Sequence, residues 1–269
     1  MRQSGGWEVA LNFKSHSCSF QVRHPALHNF PKQRQPLPIE YQRIYETHYK
    51  ENRHGYTPAS RLVQIMESWM HKQVAADLDA SFQPKSTLEI GAGTLNHLVY
   101  EPTASAYDIV EPFAELFQSS PELSRIRNVY SDIFEIPEDF KYDRIISIAT
   151  LEHICELPRL LAKSALLLAP KAEFRAGIPS EGTWLWKLGW KLSTALEFRI
   201  RYGLDYELIM KHEHVNTAVE IDSVLRYFFT KVDLRAFGPS KNVSFYQSFR
   251  CQHPNLKRCR DYLQNGGRS

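Results

Sequence analysis

"LEIGAGTLNHL", residues 88–98, decides how this chain is read. The apolar "TLEI" (87–90) predicts a strand. Two glycines, Gly91 and Gly93, follow it around Ala92. Glycines after a strand let the backbone turn tightly and let a ligand approach with no Cβ in the way. The turn that follows presents backbone N–H groups to whatever sits there. A purely structural turn would use the same residues, so the reading depends on what comes next. Glu111 ends a second apolar run, "DIVEPF", 20 residues after Gly91. An acid so placed accepts hydrogen bonds from ribose hydroxyls. Asp132 ends a third run in "YSDIFEIP". Three successive strand ends therefore carry ligand-type residues on the edge where open α/β sheets bind ligands.

Outward from this stretch, strands and helices are expected to alternate. "SAYDIVEP", "RNVYSDI" and "YDRIISIAT" predict strands two to four, and "AEFRAGIPSEG" predicts the fifth. "LEHICELPRLLAKSALLLAP" (151–170) predicts a helix bent or started at Pro158, and "TAVEIDSVLRYFF" predicts another. Such alternation argues for a parallel sheet. "KVDLRAF" and "VSFYQSFRCQ" are joined only by "GPSKN". That link is too short for a helical crossover, so these last two strands should be antiparallel neighbours. The fold class is thus α/β: a Rossmann-like, doubly wound, mostly parallel seven-stranded sheet with a C-terminal antiparallel pair. Residues 1–40 hold two Pro-rich spots and weak periodicity, which predicts a loose arm. Residues 41–82 predict a helical cap, with Leu62, Ile65, Met66, Trp69, Gln73 and Leu78 in a helical pattern built on intervals of three and four, and Pro58 near the first turn. Residues 254–269 are expected to form a flexible tail.

The motifs, taken in order, resemble the class I S-adenosylmethionine-dependent methyltransferases. "LEIGAGT", "IVEP", "SDIFEIP" and "YDRIISIATLEHI" match that family's successive motifs over about residues 85–250. The resemblance implies a methyltransferase domain at 83–253 and S-adenosyl-L-methionine as cofactor. Glu89 with the Gly91–Ala92–Gly93 backbone would hold its methionine part, Glu111 and Pro112 the ribose side, and Asp132 with Ile133 the adenine. The family's third glycine aligns with Leu95, which is expected to pack the following helix instead. The competing ligand is a dinucleotide, as in an NAD(P)-dependent oxidoreductase. Its GxGxxG fingerprint fails at Asn96, and "LNHLVYEP" allows only a short helix before Pro102. A non-catalytic cofactor-binding partner subunit is a further alternative, opposed by the acids retained at all three strand ends.

The acceptor is less legible. The fourth strand ends in "ATLEHI", without the Asp/Asn-Pro-Pro-aromatic turn of nucleic-acid amine methyltransferases or the clustered Asp/Asn of the catechol-type metal site. No cysteine follows a proline. A small-molecule or carbohydrate-type acceptor, methylated on oxygen or nitrogen, is expected; more loosely the chain resembles methyltransferases of surface-polysaccharide or sugar pathways. A general base near neutral pKa is sought among His153, His212 and His214. His153 lies just past the fourth strand; the alternative reading is a polar helix-start residue that covers the cofactor. "MKHEHVN" would put His212 and His214 on one side of an extended segment. Asn216 fills the second histidine position of an HExxH zinc signature, so no metal is expected, and Asn216 reads as a helix cap. Residues 182–213 are long for a connection and carry Trp184, Trp186 and Trp190 with Lys187, Lys191, Arg199 and Arg201. They read as a helical lid. Peripheral contact with lipid or a lipid-linked substrate through 184–201, or stacking on sugar rings, are the alternatives.

Composition bounds these readings. The 269 residues are 43% hydrophobic with a net charge of +3, enough for one large core and too mild to imply nucleic acid. No apolar run reaches the length of a spanning helix, and no secretory h-region follows "MRQSG". Cys18, Cys155, Cys251 and Cys259 form no CxxC pair, so free thiols and a cytoplasmic location are expected.

Overall fold

The computed structural model describes residues 24–42, 44, 58–78, 85–102, 106–192 and 194–265. Strands β1 (Thr87–Ile90), β2 (Tyr107–Val110), β3 (Ile126–Tyr130), β4 (Tyr142–Ile148), β5 (Leu168–Pro179), β6 (Phe229–Phe237) and β7 (Tyr246–Pro254) form one sheet in the order β3-β2-β1-β4-β5-β7-β6. The first five are parallel; β7 lies antiparallel between β5 and β6. The sheet is the one expected from the sequence, including the closing antiparallel pair.

Helix α1 (Pro58–Ala75) covers one face of the sheet. Helices α2 (Leu157–Leu166), α6 (Ala218–Phe228) and α7 (Leu256–Gln264) cover the other, while α3 (Trp184–Leu192), α4 (Thr194–Tyr202) and α5 (Tyr206–Glu213) form the segment after β5. Period-two side-chain alternation separates the faces. Ile145 of β4 packs with Leu88, Leu161 and Val224, and its neighbour Ile146 packs with Met70, Val74 and Ile109.

Buried arginines fix α1 to the sheet. A helix leaves its last carbonyls without partners. Arg175 of β5 donates to the carbonyls of Gln73 and Val74, and Arg144 of β4 makes two 2.7 Å bonds to Glu101 and a 3.3 Å bond to Val74 O. Arg144 is fully buried, and paired acids make that tolerable.

Four sequence expectations change. Among the described residues, the crossovers between β1 and β4 carry only 3₁₀ turns, at Asn96–Tyr100, Ala114–Leu116, Pro121–Arg125 and Ile133–Glu135. Those links are short and interrupted by Pro102, Pro121 and Pro137, which cannot donate in a helix interior. The helix expected over 151–170 splits into a 3₁₀ turn at Leu151–His153 and α2, and Leu168 already belongs to β5. An apolar run cannot distinguish the two; pairing with Tyr142 captures Leu168 for the sheet. The expected flexible tail contains α7, capped by Asn255 and holding Cys259 and Tyr262 in the core, with the Tyr262 ring 5.5 Å from Phe228. The expected loose arm is packed over residues 24–42: Leu27 and Phe30 join the main core. The helical expectation for 45–57 and 79–82, and Cys18, lie outside the described residues. Cys155, Cys251 and Cys259 are free thiols.

Candidate functional site

Ile90, Val110 and Tyr130 stand in lateral register across β1, β2 and β3. The next residue of each strand therefore falls on one edge: Gly91, Glu111 and Ser131, with Asp132 one step beyond. Two bonds hold the row, Gly91 N–H to Val110 O at 2.8 Å and Glu111 N–H to Tyr130 O at 2.9 Å. The Glu111 carboxylate is buried and oriented. It accepts from Gly93 N–H at 2.8 Å and from Phe113 N–H at 3.1 Å, so the acid of β2 is tied to the glycine loop of β1. Pro112 beside it is exposed. Asp132 is exposed and caps the turn after β3 through Phe134 N–H at 2.9 Å, while Ile133 is buried beneath it.

The glycine loop shows why its residues are what they are. Gly91 has φ +72°, and a Cβ there would lie 2.3 Å from the Thr150 side chain. That glycine is required by the end of β4 packing on it, a reason the sequence reading did not supply. Ala92 is buried, and Gly93 has φ +52°. Leu95, where a third glycine was expected by resemblance, adopts φ +65° and ψ +24°, the left-handed conformation that glycine normally takes. Its side chain is 1% exposed and packs with Met70, Val74, Ala92 and Leu98. Glu89 is also 1% exposed, and its Oε2 accepts from the Tyr107 hydroxyl at 2.8 Å. Burial pushes its carboxyl up to about 8, with the Tyr107 bond opposing.

A second group of side chains lies past β4. The strand leaves the sheet through Ala149, at φ +49°, and Thr150, then turns through Leu151, Glu152 and His153. Asn216 holds this turn: its amide donates to Leu151 O at 2.8 Å and Ile154 O at 2.7 Å. The helix cap expected at Asn216 belongs instead to Thr217, in a reciprocal box with Glu220. The end of α5 brings Glu213 and His214 over the same turn. His153 and His214 meet edge to face at 4.8 Å between ring centres. His153 Nδ1–H donates to Glu213 O at 3.0 Å, and His214 Nδ1–H donates to Glu181 Oε2 at 2.8 Å. Trp186 from α3 donates its indole N–H to the same Glu181 oxygen at 2.6 Å.

The sequence thus named two histidines, 61 residues apart, that the fold joins. The third, His212, is not part of the pair. Its Nδ1 lies 2.6 Å from Gln35 O, against the arm, because helical rather than extended backbone at Tyr206–Glu213 turns it away from His214. Glu152, Glu181, Glu213 and Arg34 were not singled out. Arg34 donates to the backbone carbonyls of His153, His212 and Glu213, so the arm fastens the two sides of the site. The adjacency of Glu152 to His153 and of Glu213 to His214 was the available signal; for Glu181 and Arg34 the partners are remote in sequence.

Burial sets the electrostatics here. Glu152 is 1% exposed, and desolvation raises its carboxyl to about 7 against the pull of His214. Burial also raises Glu213, opposed by Arg34 and His214. For Glu181 burial is outweighed by the His214 and Trp186 donors, and its carboxyl is held below the usual range. For His214 burial acts downward, but the Glu181 bond and the charges of Glu152, Glu181 and Glu213 prevail and raise it.

No protein-family model and no protein of curated function matches the chain. Solved structures do. The N-methyltransferase NodS from Bradyrhizobium japonicum WM9, solved with S-adenosyl-L-homocysteine, aligns at TM-score 0.52 and 15% identity over 81% of this chain and 100% of that one. The 1,6-didemethyltoxoflavin-N1-methyltransferase of Burkholderia thailandensis aligns at TM-score 0.51 and 18% identity, over 83% and 94%. The plantazolicin methyltransferase BpumL aligns at 0.52 and 13%, over 79% and 91%. Other similar chains are longer: this one spans 54% of the CurJ carbon methyltransferase and 57% of an O-methyltransferase family protein from Burkholderia thailandensis. The strand order and the three alignments with TM-scores of 0.51 and 0.52 give the chain the fold of the class I S-adenosylmethionine-dependent methyltransferases.

Proposed function

We propose that the chain transfers a methyl group from S-adenosyl-L-methionine to oxygen or nitrogen of a small-molecule or carbohydrate-type acceptor. The observation that carries this reading is the row Gly91, Glu111 and Asp132 on one sheet edge, next to the Glu152–His153–His214 group past β4. The residues fit the cofactor. The Gly91–Ala92–Gly93 backbone, with Glu89 behind it, takes the methionine part. Glu111, already oriented by two N–H groups and flanked by Pro112, takes the ribose hydroxyls, and Asp132 with Ile133 takes the adenine. The cofactor supplies a methyl group already activated on a sulfonium. The chain's task is then alignment of the acceptor and removal of its proton. The Glu152–His153–His214 group performs that second task, and His212 does not.

The residues 184–192 divide the lid and surface readings between them. Trp186 faces inward, 5.5 Å from the Tyr246 ring, and closes the acceptor side. Trp184 and Leu188, four apart and 59% and 43% exposed, form an outward stripe for a lipid-linked or glycan acceptor. Among the described residues no helix is long and apolar enough to cross a membrane.

Thermal-shift measurements with S-adenosylhomocysteine, NAD and NADP test the cofactor class. Stabilisation by S-adenosylhomocysteine alone is expected; stabilisation by a nicotinamide dinucleotide instead would overturn the reading in favour of an oxidoreductase. A mass-spectrometric screen of sugar-nucleotide and glycolipid acceptors for one added methyl then identifies the substrate. Binding without any methyl transfer across that screen would favour a non-catalytic partner subunit.

A further inference from the structure

Glu152, His153 and His214 each offer one donor atom, and the three atoms lie within 4.8 Å of one another. Two features set this group apart from a chance meeting of polar side chains. The first is the direction of the rings. A metal-bound histidine usually donates its other ring N–H to a carboxylate or carbonyl, which fixes the tautomer and turns the lone pair of the remaining nitrogen toward the ion. Here His153 gives Nδ1–H to the Glu213 carbonyl, with Glu213 Oε2 also 3.3 Å away, and His214 gives Nδ1–H to the Glu181 carboxylate. Nε2 is the other nitrogen of each ring, and His153 Nε2 lies 3.7 Å from Glu152 Oε1.

The second feature is Glu152 itself. It is 1% exposed, and its Oε2 has no hydrogen-bond partner among the described residues. A buried carboxylate oxygen without a partner is costly unless something supplies positive charge or a donor. Glu181 and Glu213 add acidic groups around the same two imidazoles, with the Arg34 guanidinium directed at backbone carbonyls on the rim. A cation at the centre would meet one carboxylate and two imidazole nitrogens.

We propose that Glu152, His153 and His214 bind a divalent transition-metal ion. Two imidazoles and one carboxylate suit zinc, cobalt, iron or manganese; magnesium and calcium prefer all-oxygen sites. Three protein donors leave coordination positions open, as in catalytic rather than structural sites. Tetrahedral donors about 2.1 Å from zinc stand about 3.4 Å apart, so the side chains close by about 1 Å on binding. In the methyltransferase reading, on which this role rests, an ion held there would leave a position open to the acceptor oxygen and would lower the pKa of the acceptor hydroxyl, whose proton would pass to solvent water instead of to the histidines. The binding of the ion does not depend on that reading. HExxH spacing missed the site because its ligands come from two segments that only the fold joins.

The test uses the full chain, stripped with chelator, and cobalt(II) as the probe. One equivalent of cobalt is expected to bind with visible d–d absorption and to be displaced by zinc, while magnesium leaves the spectrum unchanged. Glu152→Gln and His153→Ala should each weaken cobalt binding by about 100-fold or more, and Glu181→Gln, a change in the outer shell, by about 10-fold. His212→Ala, on the same helix end, should leave it unaltered. Thermal unfolding checks that each variant is folded, and partly exposed His153 is the variant best able to tolerate replacement. Absence of cobalt binding at millimolar concentration, or binding unchanged in both folded Glu152→Gln and His153→Ala, overturns the proposal. S-adenosylhomocysteine binding is measured on the same sample. Cofactor binding without metal binding rejects the metal site and leaves the methyltransferase reading standing. Metal binding without cofactor binding does the reverse.

Discussion

Leu95 offers a test in which packing and backbone strain pull in opposite directions. Its side chain is 1% exposed inside the α1-facing cluster, so truncation to alanine leaves a cavity against Met70, Val74 and Leu98. Leu→Ala changes at such positions cost about 2–5 kcal/mol. The backbone at φ +65° adds a second effect. A residue with a Cβ in the left-handed region is strained by about 1–2 kcal/mol. Leu95→Ala keeps that strain, whereas Leu95→Gly removes it with nearly the same cavity. Glycine at an ordinary helix or strand position is about 0.5–1 kcal/mol worse than alanine, through its extra freedom in the unfolded chain. Here the order should reverse, with Leu95→Gly about 1 kcal/mol more stable than Leu95→Ala and both below the parent. Urea unfolding followed by tryptophan fluorescence measures this, with equal slopes confirming comparable unfolding. If Leu95→Gly is the less stable of the two, the left-handed conformation is not what makes this position unusual. If neither variant loses stability, the packing argument fails as well.

Further outcomes are expected elsewhere. Glu111→Ala should weaken S-adenosylmethionine binding by about 1.5–3 kcal/mol, the scale of hydrogen bonds to a charged group; unchanged affinity by calorimetry would remove Glu111 from the ribose role. At saturating cofactor, His153→Ala and His214→Ala should lower turnover by about 10²–10⁴-fold with cofactor affinity intact, and His212→Ala should stay within a few-fold. Equal losses in all three would contradict the separation of His212 from the pair. Glu89 has its folded-state carboxyl raised to about 8, above its ordinary value of 4.5, so its contribution to stability is full below that ordinary value and fades as pH rises through about 8. Glu89→Gln, which retains an acceptor for Tyr107, should therefore gain on the parent between about pH 5 and about pH 8 in denaturant titrations; a constant gap between the two would rule out this titration.

Some of this was written in the chain order. The strand ends "TLEIGAG", "DIVEP" and "YSDI" could be recognised because apolar runs and the glycines and acids that end them are local signals. The short link 238–242 forced the antiparallel pair for an equally local reason, since a crossover needs more chain. Helices were less legible. The run "ALLLAP" is apolar enough for either state, and only its pairing with β4 made Leu168 a strand residue. The arm and tail read as loose because one apolar residue at a time carries no periodicity. Leu27, Phe30 and Tyr262 become core residues only where α2 and α6 present a surface to them.

The sequence by itself determined the sheet, its order of ligand-bearing ends and the candidacy of His153 and His214, because each follows from residues a few positions apart. Tertiary structure decided the rest. It required glycine at position 91 by setting Thr150 against it, and it held Leu95 left-handed. It sent His212 to the arm and fastened the turn after β4 with Asn216 and Arg34. It also gathered Glu152, His153, Glu181 and His214 from the ends of β4, β5 and α5 into one part-buried group. Hydrogen bonds and ion pairs act over a few ångströms of space, and separation along the chain does not record which residues will share that space.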